Sequence, residues 1–91
     1  MLDKKSIELT ISNKLGLHAR AAATLVQLTN RFESKIEIEK DGKVVNGKSI
    51  MGIMMLAAAK GNKIVVYAKG PDADKALEAI EELVFNKFGE E

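Results

Sequence analysis

Residues 6–23 read Ser6-Ile7-Glu8-Leu9-Thr10-Ile11-Ser12-Asn13-Lys14-Leu15-Gly16-Leu17-His18-Ala19-Arg20-Ala21-Ala22-Ala23, and within them the hydrophobic period changes. Ile7, Leu9 and Ile11 alternate with Ser6, Glu8, Thr10 and Ser12, the pattern of a strand with one dry and one wet face. Asn13-Lys14-Leu15-Gly16 breaks the alternation, and Gly16 can take backbone angles that other residues resist. From Ala19 to Phe32 the period becomes helical: Ala21, Leu25, Leu28 and Phe32 make one stripe, Arg20, Thr24, Gln27 and Arg31 the opposite one. A strand, a turn and an amphipathic helix therefore open the chain.

Downstream, Lys35 to Glu39 alternates with Ile36 and Ile38 inward, and Asp41-Gly42 is a hairpin signal leading into Lys43-Val44-Val45. Ser49 opens a short apolar helix in which Ile50, Ile53, Met54 and Ala57 share a face and Gly61 supplies the stop. Ile64 to Ala68 is a mostly β-branched strand, and Gly70-Pro71-Asp72 turns the chain into a last helix from about Ala73. There Ala73, Ala76, Leu77, Ile80, Leu83, Val84 and Phe88 face inward. The order βαββαβα predicts an α+β domain: a two-layer open-faced sandwich whose four-stranded antiparallel sheet is covered on one face by three helices. Residues 1–91 are expected to form one domain.

Composition narrows the function classes. The 91 residues carry 14 Lys and Arg against 13 Asp and Glu, a net charge of +1, which argues against a broadly basic nucleic-acid binder and an acidic tail protein. With no Cys and one His, neither thiol chemistry nor a nitrogen or sulfur metal cluster is expected, and no cofactor is implied. Only 4% of residues are aromatic, and three of the four (Phe32, Phe85, Phe88) fall on predicted helices, so no base-stacking platform is expected. The start of the chain does not read as a secretory signal, and Ile50 to Ala59 is about half the roughly 20 residues a membrane-spanning helix needs. A cytoplasmic monomer without membrane insertion is expected.

The one imidazole, His18, stands where the loop becomes the first helix. A helix start carries N–H groups without intrahelical partners and a partial positive charge, so it attracts anions. Gly16 and Ala19 flank that start, and Arg20 can bring a planar guanidinium to the same place. Nucleophile and phosphate cradle then coincide, suiting reversible phosphorylation of the ring. No carboxylate lies near in sequence to polarise the ring and no second His can act as base, so carrying a phosphoryl group fits better than hydrolysing one. A lone His near a helix start also serves elsewhere as a surface or capping residue, and spacing does not choose between these roles.

The run Asn13-Lys14-Leu15-Gly16-Leu17-His18-Ala19-Arg20-Ala21-Ala22 closely resembles the active-site signature of the HPr family, the histidine-containing phosphocarriers of bacterial phosphotransferase systems. Asn46-Gly47-Lys48-Ser49-Ile50-Met51-Gly52-Ile53-Met54 resembles that family's second signature, and the element order is similar to the family fold over nearly the whole chain. The resemblance implies that His18 takes phosphate on Nδ1 from phospho-enzyme I and passes it to an enzyme IIA-type domain, with Arg20 assisting. It aligns Ser49 with a serine that HPr kinase/phosphorylase modifies in many relatives. It also implies a docking surface on the first two helices, here Ala19, Arg20, Ala23, Gln27, Ile50 and Met51. Ala21 departs from the family's usual proline and restores a backbone N–H.

Ser49 has two readings, an N-cap of the second helix and a regulatory phosphorylation site whose added charge would hinder docking. The methionines divide in the same way: Ile53 and Met54 are expected inward, Ile50 and Met51 toward partners. The start Asn13-Lys14-Leu15-Gly16, the stretch Met55-Leu56-Ala57-Ala58-Ala59-Lys60-Gly61 and the ending Phe85-Asn86-Lys87-Phe88-Gly89-Glu90-Glu91 resemble the nitrogen-related branch of the family, whereas Ile50-Met51-Gly52-Ile53-Met54 resembles the sugar-uptake branch. The competing function is a regulatory binding module that acts on a transcription factor or enzyme without transferring phosphate.

Overall fold

The structure is a computed structural model that describes residues 3–90. The described elements follow the order β1 (Lys4–Thr10), α1 (Ala19–Thr29), β2 (Lys35–Lys40), β3 (Lys43–Asn46), α2 (Ile50–Met55), β4 (Lys63–Lys69) and α3 (Ala73–Phe85), then a short 3-10 turn at Lys87–Gly89. The strands form one antiparallel sheet of order β1-β4-β2-β3.

Register follows the two-residue period. Ile7 lies opposite Val66, Val66 opposite Ile38, and Ile38 opposite Val45, so one cross-strand row faces the helices. One residue along, Ser6, Tyr67, Glu37 and Asn46 make the neighbouring row on the uncovered face. There the Tyr67 hydroxyl donates to Glu39 Oε1 at 2.6 Å while Lys4 Nζ stands 4.4 Å from the ring centroid. The Glu39 hydrogen bond, then burial and the negative charge of Glu39 and Glu37, raise the phenol above its ordinary pKa of 10.0.

On the covered face, Ile36, Ile38, Ile64 and Val66 from the sheet pack with Leu25, Ile53 and Ile80 from the helices in one buried cluster. α1 packs against both α2 and α3, and α3 lies over β1 and β4. The two-layer α+β sandwich expected from the sequence is the observed fold.

Several local readings are corrected. α1 ends at Thr29 rather than Phe32: Thr29 is fully buried, and its hydroxyl donates to Gly47 O at 2.8 Å, tying the helix end to the loop after β3. Phe32 packs on the core from outside the helix. α2 ends at Met55, and Ala57 adopts φ +49, so the expected face of Ile50, Ile53, Met54 and Ala57 does not form. Ile53 alone in that helix is buried; Met54 is 42% exposed, and Leu56 and Ala58 fill the core in its place. Gly61 does not end α2 but shapes the turn before β4, with φ +90. Phe88 is buried as expected, yet it reaches the core from the 3-10 turn with φ +56, beyond the end of α3.

The start of α3 is fastened across the fold. Asp72, which gives no side-chain cap to its own helix, accepts hydrogen bonds from the Glu33 and Ser34 amides, each at 3.0 Å, and from the Ser34 hydroxyl at 2.5 Å. The hydroxyl bond first, then the Glu33 amide, hold this carboxyl below its ordinary value of 3.8 against the opposing effect of burial. The α1–β2 loop is thereby locked to α3.

Candidate functional site

His18 is the N-cap of α1, in extended conformation (φ −73, ψ 178), and its carbonyl accepts from Ala22 N at 2.8 Å. Its side chain does not cap the helix. The N–H groups of Ala19, Arg20 and Ala21, the first three of the helix, have no hydrogen-bond partner among the described residues. Ala21 provides one of these donors, and a proline at that position would not. Arg20 projects from the exposed side of the same turn.

The turn before the helix is set by backbone packing. Gly16 has φ +67, and a Cβ added to it would lie 2.4 Å from Ala58 O. Leu17 N donates to that same carbonyl at 2.8 Å, so the loop carrying His18 is stitched onto the segment between α2 and β4. Gly16 N–H itself donates to Asn13 O at 3.2 Å, and Gly16 O accepts from Asn13 Nδ2 at 2.7 Å. Gly16 thus shapes the turn, whereas Ala19 contributes an unpaired N–H at the helix start.

No carboxylate lies near the ring in sequence, but the fold brings one to it from the other end of the chain. Glu90, 72 residues away, sets Oε2 at 2.5 Å from His18 Nε2. Its other oxygen accepts from Asn13 Nδ2 at 2.9 Å. Asn13 is fully buried, and its Oδ1 has no hydrogen-bond partner among the described residues. Burial pushes the Glu90 carboxyl up, but hydrogen bonds from Asn13 and His18 and the charges of His18 and Arg20 outweigh it, so the group lies below its ordinary 4.5. Glu90 is therefore ionised at neutral pH. His18 Nδ1 makes no hydrogen bond among the described residues.

Ser49 is the N-cap of α2, its Oγ accepting from Gly52 N at 3.0 Å. Ile50 is exposed and Met51 is 74% exposed on α2, while Gln27 is exposed and Ala23 half-buried on α1, the helix that α2 packs against. Met55 and Leu15 are also exposed. Among the described residues no group of three His, Cys, Asp or Glu side chains comes together in a way that would hold a metal ion, and no helix is long and apolar enough to cross a membrane.

Fold and site together define a small open-faced sandwich that presents one imidazole beside an uncapped helix start. The family model described as the PTS HPr component phosphorylation site matches residues 5–86, and the chain belongs to the HPr phosphocarrier family. It is 49% identical to the phosphocarrier protein HPr of Cupriavidus necator over 81 residues, covering 89% of this chain and 91% of that protein. Among solved structures it is similar to HPr-C-His from Thermoanaerobacter tengcongensis, with TM-score 0.92 and 49% identity over 96% of this chain and 98% of that one. An HPr dimer from the same organism aligns with TM-score 0.77 and 49% identity, over 94% of this chain and 99% of that one.

Proposed function

We propose that this chain is a cytoplasmic, monomeric phosphocarrier in which His18 Nδ1 accepts a phosphoryl group from phospho-enzyme I and hands it to an enzyme IIA-type domain. The observation that carries the reading is the coincidence of His18 Nδ1 with the N–H groups of Ala19, Arg20 and Ala21, none of which has a hydrogen-bond partner among the described residues. On acceptance the Nδ1 lone pair forms the N–P bond, and the bond from phosphorus to the donor's nitrogen breaks with its electron pair. The helix start and the Arg20 guanidinium offer donors and positive charge to the phosphoryl oxygens. Transfer then relies on positioning and electrostatics rather than on a metal.

Ala23, Gln27, Ile50 and Met51 form the docking surface in this proposal, which Leu15, Met54 and Met55 extend with further exposed apolar side chains. A modification of Ser49 would place its charge at the start of α2 and replace the cap on Gly52. Incubation with phosphoenolpyruvate and enzyme I, taken separately from the sugar-uptake and nitrogen-related branches, tests the reading by intact mass. Gain of one acid-labile phosphoryl group by the native chain, but not by His18→Ala, is expected, and the faster donor identifies the branch. No gain from either donor would replace the carrier with the regulatory binding module. Sedimentation before and after phosphorylation tests the monomer, given the dimeric relative.

A further inference from the structure

Three of the chain's four methionines, Met51, Met54 and Met55, stand on the six-residue helix α2. Spacings of three and four residues put them on one side of the helix, where they are 74%, 42% and 61% exposed. Ile53, on the opposite side, is the residue that α2 buries. The helix is held from that side and from its ends. Ser49 Oγ accepts from Gly52 N at 3.0 Å, Lys43 Nζ donates to Met55 O at 3.1 Å, and Leu56 and Ala58 enter the core directly after it. None of these fastenings uses a thioether. Leucine in those places would give an equally apolar face, but sulfur adds a reactivity: a thioether is oxidised to the sulfoxide, a polar and chiral group. The chain has no Cys, so no thiol of its own takes the oxidant first. The face also adjoins the loop that carries His18, because Ala58 O, three residues past Met55, accepts from Leu17 N.

We propose that Met51, Met54 and Met55 form an oxidation site for hydroperoxides, and that sulfoxide formation there uncouples the chain from enzyme I while leaving its fold and His18 intact. The inference rests on the phosphocarrier reading and its docking surface above. In the step, a lone pair on Sγ attacks the terminal oxygen of the peroxide. The S–O bond forms and the O–O bond breaks; the hydroxyl proton of the attacked oxygen passes to the departing one, which leaves as water or an alcohol. Sulfur loses two electrons and the peroxide gains them. Reduction by a sulfoxide reductase reverses the change: two thiols become a disulfide and the oxygen leaves as water. On the free chain, water satisfies each sulfoxide oxygen. A partner's apolar surface pressed onto α2 would strip that water and leave the oxygen unpaired, so the penalty falls on docking. The core feels little, because the three sulfurs lie on the side of α2 away from Ile53.

The test treats the full chain with hydrogen peroxide and locates the added oxygen by peptide mass spectrometry, which separates the α2 methionines from Met1. Met51, Met54 and Met55 are expected to oxidise, with the amide spectrum and melting midpoint staying close to those of the untreated chain. Affinity for enzyme I, by calorimetry, should fall about tenfold, the scale of one polar group buried without a partner. KM for transfer from phosphorylated enzyme I should rise by a similar factor, with turnover near its untreated value. Sulfoxide reductases with a thiol should restore both. A chain carrying Met51→Leu, Met54→Leu and Met55→Leu together keeps the apolar face without sulfur. Each protein is compared with its own untreated state, and this one should change less than twofold on treatment. Complete oxidation of the three methionines with affinity and KM within twofold of the untreated values would overturn the proposal. So would a loss that the leucine chain shares, or one that accompanies unfolding. An untreated chain that binds enzyme I but accepts no phosphoryl group would overturn the carrier reading instead, and the affinity measurement would still decide what oxidation does to docking.

Discussion

Replacing Gly16 with alanine tests how the site is mounted. At φ +67 an added Cβ costs roughly 1–2 kcal/mol in backbone strain alone. The Cβ would also meet Ala58 O at 2.4 Å and Ala59 Cα at 2.9 Å, both backbone atoms, where real Cβ contacts stay beyond 3.0 Å. The loop must therefore retreat by more than about half an ångström. That retreat breaks or lengthens the Leu17 N–H to Ala58 O bond of 2.8 Å, about 1 kcal/mol, and disturbs the buried Leu17 and Ala58, a packing cost of roughly 1–3 kcal/mol. The expected total is about 3–6 kcal/mol. Gly61→Ala provides the comparison: φ is +90, nothing lies within 4 Å of the place its Cβ would take, and strain alone should cost roughly 1–2 kcal/mol. Urea unfolding of both variants, compared at equal slope, measures the difference. If Gly16→Ala loses no more stability than Gly61→Ala, the close approach to Ala58 does not hold the His18 loop and the reasoning fails.

Other substitutions address single contacts. Ser49→Ala removes the acceptor for Gly52 N and should cost about 1 kcal/mol in a thermal or urea melt, whereas Ser49→Asp, which keeps a capping oxygen, should cost less. Ala21→Pro deletes one of the three N–H groups at the helix start that have no partner among the described residues, so the chain should stay folded while phosphoryl transfer from enzyme I slows by roughly a fewfold in a quench assay. Because Asp72 titrates below 3.8 in the folded chain, its stabilisation is complete above that value and is lost as pH falls through the depressed one. Asp72→Asn should therefore be less stable than the native chain at neutral pH and converge with it in acid, as melting midpoints across that range will show.

The fold was legible because its strands keep one face polar: the alternations at Ile7–Leu9–Ile11 and Ile36–Ile38 point to the sheet face that the helices cover. Helix ends were less legible, since tertiary hydrogen bonds set them. Thr29 stops α1 by reaching Gly47, and the left-handed Ala57 stops α2 where apolar periodicity runs on toward Gly61. The positions of His18 and Arg20 at the start of α1 could be placed from a few adjacent residues, as could the N-cap position of Ser49. Glu90 could not, because its partner is 72 residues away and the left-handed reversal at Lys87–Gly89 has no hydrophobic period to announce it. Buried Asn13 was likewise missed as a polar core residue: its amide links the turn to Glu90, a contact that local patterning does not encode.

The central claim of the proposed function is that His18 carries the phosphoryl group on Nδ1, the ring nitrogen without a hydrogen-bond partner among the described residues. The direct measurement is one-bond 15N–31P coupling in the chain labelled at its single histidine and phosphorylated by phosphoenolpyruvate and enzyme I. The account predicts coupling to Nδ1, with Nε2 retaining its proton. Coupling to Nε2, or phosphate found on another residue, would contradict it.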